Sequence, residues 1–118
     1  MSQTTHPLLD TVVHALDEMK ARNITVLDIA GLTSLADHMV IASGTSTRHV
    51  KALSDSVQEK AKEAGFMPVG VEGEQGAEWI LVDLGDVIVH VMQPAIREYY
   101  DLERLWRHPD HHPDRGES

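Results

Sequence analysis

The stretch from Trp79 to Met92, WILVDLGDVIVHVM, constrains the fold of this chain more than any other. Two runs rich in β-branched residues flank Leu84-Gly85, and side chains alternate between faces along a strand. With Leu84-Gly85 as a two-residue turn, the runs form an antiparallel hairpin. Asp83 then opposes Asp86, and Trp79 opposes His90. One face carries Ile80, Val82, Val87, Val89 and Val91 and is apolar throughout. Such a face must be buried against other elements, so the hairpin belongs to a layered domain. The other face carries Trp79, Leu81, Ile88, His90 and Met92, with Asp83 and Asp86 at the tip.

The remaining pattern supplies the covering elements. Pro7 opens a helix, with Leu8, Leu9, Val12, Val13, Leu16 and Met19 at helical spacing and Asn23 as its stop. Ile24–Ile29 and Asp37–Ser43 read as strands. Gly44-Thr45-Ser46 then offers a hydroxyl cap to a helix bearing Val50, Leu53, Val57, Ala61 and Ala64, which Gly65 terminates. Phe66–Val71 is a weaker strand, because Pro68 cannot donate to a ladder. A final helix runs from Pro94 to about Trp106. The expected architecture is a single α/β (α+β) domain over residues 1–106, with a mixed sheet of about five strands flanked by helices. Residues 107–118, rich in His, Pro and charge, read as a disordered tail.

Composition narrows the function. Ten basic residues against nineteen acidic ones give a net charge of −9, which disfavours phosphate-gripping surfaces and anionic membranes. A cationic protein partner suits this field, since complementary potentials orient docking. No apolar run approaches the roughly 20 residues needed to cross a bilayer, and no signal peptide is evident. Cysteine is absent, so disulfides and thiolate ligands are excluded, and a cytoplasmic location is expected.

The outer hairpin face has two readings. A helix covers it, as happens in central strands of α/β folds, or it is a binding surface, where Trp anchors and complementary charge are common. Opposed Asp83 and Asp86 would repel unless a cation sat nearby, and Glu72 and Glu74 add charge near the same end. Both aspartates also suit turns without any partner.

Catalytic readings are weaker. Asp83 and Asp86 with Glu72 or Glu74 are candidates for holding Mg²⁺ in nucleotidyl transfer, but no basic triphosphate site accompanies them. The helix start at Thr45, Arg48 and His49 lacks the longer phosphate-loop pattern. Ser46, His49 and Asp55 make no triad, and His108, His111 and His112 lack the surroundings of a specific metal site. The expectation is a non-enzyme with no cofactor and no metal.

Three segments, DHMVIASGTSTRHVKAL, GVEGEQGAEWILVDLGDVIVHVM and REYYDLERLW, resemble the ribosomal silencing factor (RsfS/Iojap) family across about residues 8–106. The resemblance implies a nucleotidyltransferase-like core without its activity. It further implies a homodimer when free and a steric block to subunit joining, through binding of ribosomal protein fourteen on the large subunit. No nucleic-acid specificity is implied. Partner contact then falls on Trp79 and Leu81 as apolar anchors, Asp83 and Asp86 as acceptors, His90 and Met92 beside them, and Glu72 and Glu74 in the acidic loop. Tyr99 and Tyr100 match the family's aromatic pair, whereas the tail from Arg107 departs from the pattern.

Overall fold

A computed structural model describes residues 6–105. Helix α1 spans Pro7–Glu18, followed by strands β1 (Arg22–Asp28) and β2 (His38–Ser43) and helix α2 (Thr47–Glu63). Three strands come next, β3 (Gly70–Glu72), β4 (Trp79–Asp83) and β5 (Val87–Met92). Two short helices, α3 (Pro94–Tyr100) and α4 (Leu102–Leu105), follow them. The five strands form one mixed sheet in the order β1-β2-β5-β4-β3. Only the β2–β5 pair is parallel. Parallel neighbours need a crossover, and here it runs through α2, β3 and β4.

Both long helices are defined by their ends. His6 Nδ1 accepts from the Leu9 backbone N–H at 3.3 Å and caps α1, whose first residue is the expected Pro7. Ser46 Oγ accepts from the His49 N–H at 3.1 Å and caps α2. Each helix closes with the same pair of backbone bonds. Ala21 and Lys20 donate to Leu16 and Asp17, and Phe66 and Gly65 donate to Ala61 and Lys62. This closure needs a left-handed residue just past the cap. Gly65 supplies it for α2 as expected, while α1 uses Lys20 at φ 64°. Helix α1 therefore stops well before Asn23, which instead sits at φ 51° in an irregularity of the β1–β2 ladder.

Helices α1 and α2 cover one side of the sheet. Leu8, Val12, Leu16, Val50, Leu53 and Val57 pack with Val40, Ala42, Ile80, Val82, Val87, Val89 and Val91, all buried. On the opposite side, Ile29, Ala36, Met39, Ile41 and Met92 form a smaller core, with Leu27, Trp79, Ile88, Ile96 and Leu102 at its margin. The last helix is not continuous to Trp106 as the sequence suggests. It breaks at Asp101, φ 48°, a conformation that the short polar side chain tolerates. The bend carries Leu102 of α4 onto the same core as Ile96 of α3. Trp106 and the tail 107–118 lie outside the described residues.

Candidate functional site

The hairpin turn lies one residue later than expected. Leu84 donates to the Val87 carbonyl at 3.0 Å, which leaves Gly85 and Asp86 as the two turn residues. Gly85 has φ +89°, and glycine at the first central position is what a type II′ hairpin favours. Trp79 therefore pairs with Met92, Leu81 with His90 and Asp83 with Ile88. The slip changes the partners by two residues, so the assignment of faces is unaffected. Asp83 does not oppose Asp86. Its Oδ1 accepts from the Gly85 N–H at 2.9 Å, and the Asp86 carbonyl accepts from Asp37 and His38 at 2.8 and 3.1 Å. Both aspartates thus have turn and tip roles, and the expected repulsion across the ladder is absent.

Register across the sheet places the outer face in rows. Leu27, Met39, Ile88, Asp83 and Gly70 lie in one, and Thr25, Ile41, His90, Leu81 and Glu72 in the next. A third holds Ser43, Met92 and Trp79. Cover is greatest at β2 and decreases from there toward β3. Met39, Ile41, Ser43 and Met92 are buried, Ile88, Leu81, Asp83 and Trp79 are half-buried, and Glu72 is exposed. Glu74 and Asp86 are exposed at the margins. Met92 and His90, expected as contact residues, are 0% and 6% exposed. They back the face from beneath: Met92 packs in one cluster with Ile29, Ala36, Ile96 and Leu102, and His90 lies under the Trp79 indole.

Trp79 is held in a defined pose. Its Nε1–H donates to His90 Nδ1 at 2.9 Å, which requires an unprotonated Nδ1. Burial lowers the His90 pKa from 6.5 to about 4, so the acceptor persists at neutral pH. The Tyr100 ring lies 4.8 Å from the indole, and Tyr99 continues the series edge-on at 5.0 Å from Tyr100. Tyr99 is 80% exposed and Tyr100 49%. Tyr100 thus packs on Trp79 while Tyr99 projects outward.

Gly73 is a site residue that sequence reasoning passed over. It has φ +88°, and a Cβ there would collide with the Trp79 carbonyl. The acidic loop therefore lies directly on the Trp79 backbone, and only glycine permits the approach. Its position in a Glu-Gly-Glu string was visible, but the close neighbour was not.

The other candidates stay apart. Thr45 N–H donates to His49 Nδ1 at 2.9 Å, and His49 Nε2 meets the Met19 carbonyl at 2.8 Å. This ties α2 to the end of α1 and accounts for a capped helix start. Among the described residues, no three or more His, Asp or Glu groups are placed to hold a metal ion. No helix among those residues is long and apolar enough to cross a membrane.

A family model described as "Ribosomal silencing factor during starvation" matches residues 2–117. The chain belongs to the ribosomal silencing factor family. It is 55% identical to the Chromobacterium violaceum ribosomal silencing factor over 94 residues, covering 80% of this chain and 77% of that protein. A mouse family relative, "Mitochondrial assembly of ribosomal large subunit protein 1", is 36% identical over 101 residues, 83% of this chain and 44% of its own length. A crystal structure of a Chromobacterium violaceum protein superposes with a TM-score of 0.84 at 52% identity, covering 85% of this chain and 83% of that one. The silencing-factor match extends beyond residues 8–106, where the recognisable motifs lie.

Proposed function

We propose that this silencing factor binds the large ribosomal subunit through ribosomal protein fourteen and sterically prevents the small subunit from joining. One observation carries the reading. The sheet face at Trp79, Leu81, Asp83 and Glu72 combines half-open apolar surface with carboxylates, on a chain of net charge −9. Aromatic and apolar anchors contribute most where they are desolvated by a partner, and rim charges steer the encounter. Trp79 and Leu81 are the anchors, and Asp83, Glu72, Glu74 and Asp86 meet basic side chains. His90 and Met92 support the anchors from below. The action is occlusion in the cytoplasm and uses no catalytic group, and the free protein is a homodimer.

The test is sedimentation of the purified protein with separated ribosomal subunits. The expected outcome is co-migration with large subunits alone and a fall in the joined fraction when small subunits are added. Free joining in the presence of saturating protein would remove the occlusion mechanism.

A further inference from the structure

Helix α3 has seven residues and none is fully buried. So short a helix is not stable in isolation, yet it presents Tyr100 to Trp79. Its apolar attachment rests on half-buried Ile96 and on the Tyr100 ring against Trp79, with Leu102 following on α4. The polar attachment is concentrated in Arg97. Its Nε donates to Glu103 Oε1 at 2.8 Å, Nη1 to Ser43 Oγ at 2.9 Å and Nη2 to Thr25 Oγ1 at 2.8 Å. These partners belong to α4, β2 and β1, and the Arg97 side chain is only 11% exposed. A planar guanidinium has donors fixed in a fork and keeps its charge, so it can join three elements at once. A lysine ammonium cannot reproduce that geometry.

We propose that Arg97 is a positioning residue for the contact face. By clasping α3 to β1, β2 and α4, it seats Tyr100 on Trp79 and aligns Trp79, Tyr100 and Tyr99 as one preformed aromatic row. Arg97 acts through the tyrosine and the indole, from below the surface. Rings ordered before docking lose less side-chain entropy on association. The effect on affinity rests on the ribosome-binding reading, whereas the seating of Trp79 is a property of the free protein.

The experiment uses the full chain with Trp106→Phe, which leaves Trp79 as the one tryptophan of the original two. Arg97→Ala and Arg97→Lys are each compared with this parent. Acrylamide quenching of Trp79 should roughly double in both as a half-buried ring becomes accessible. Affinity for isolated large subunits should fall about tenfold, while far-ultraviolet circular dichroism stays native. Thr25→Val with Ser43→Ala keeps the arginine but removes two acceptors, and should move both readouts the same way by less. It also covers the case in which Arg97→Ala fails to fold.

Unchanged quenching in the folded variants overturns the proposal. Raised quenching with undiminished affinity overturns the alignment of the row for binding. A parent protein that does not bind large subunits refutes the ribosome reading instead, and quenching still decides whether Arg97 seats Trp79.

Discussion

On one side of the sheet, α1 and α2 bury Val40, Ile80, Val82, Val87 and Val89 completely. On the other, Ile96 of α3 and Leu102 of α4, with Ile29 and Ala36, pack with buried Met39, Ile41 and Met92, while Leu81, Asp83 and Ile88 stay half-open. The same two strands, β4 and β5, contribute to both sides, so local propensity cannot explain the difference. It comes from what lies above each face. Two helices of 12 and 17 residues roof the first, and two of seven and four residues only part of the second. The first face can therefore supply most of the folding free energy, while the second retains surface for another molecule.

The contrast is most sharply tested in the α1–α2 core. Leu53, fully buried, should cost about 3 kcal/mol or more on truncation to alanine, read from urea unfolding. Leu81→Ala on the other face should cost about 1 kcal/mol or less in the same assay. Equal losses would erase the proposed division of labour.

The second test is acid. His90 is neutral in the folded protein because burial lowers its pKa to about 4, below the unfolded 6.5. The unfolded chain binds this proton first, so stability is complete above pH 6.5 and declines as pH falls toward 4. At full protonation the His90 contribution lost is on the order of 3 kcal/mol. Unfolding midpoints of the protein and of His90→Phe, measured across that range, should diverge with pH. Parallel curves would mean that His90 is not a neutral buried acceptor.

Smaller effects belong to the open surface itself. Trp79→Ala should weaken large-subunit binding by about 2 kcal/mol, measured by titration of a protein that retains its native circular dichroism. Asp83→Asn keeps an oxygen for the Gly85 N–H while removing the charge. Its stability should change by less than about 0.5 kcal/mol, whereas association with large subunits should become slower and less salt-sensitive. An unaltered salt dependence would take Asp83 off the steering surface.

Much of this arrangement was legible in the hairpin alone. The division into an apolar and an amphipathic face follows from alternation, and a shift of two in the cross-strand partners leaves it intact. The partners themselves were misread because Leu84-Gly85 and Gly85-Asp86 are both plausible turns. Helix α2 was readable from Ser46 to Gly65 because both ends carry the residues that such ends require. The break at Asp101 was not, since aspartate permits a left-handed conformation without demanding it. The cover on Met92 also escaped, because it depends on Ile96 and Leu102 arriving from outside the hairpin. Arg97 reaches Ser43 and Thr25 across 54 and 72 positions. No local pattern encodes such contacts.

The parallel pairing of β2 with β5 also has a consequence for the growing chain. His38 must wait for Val87 and Ser43 for Met92, so the middle of the sheet cannot close until nearly all of the domain has left the ribosome. Closing so long a loop costs entropy before any pairing compensates for it, which slows folding. Strand β2 can meet β1 early, but its other edge stays open to wrong partners until β5 arrives. Premature termination before residue 87 would leave a nascent chain with α1 and α2 made and its central seam unsewn.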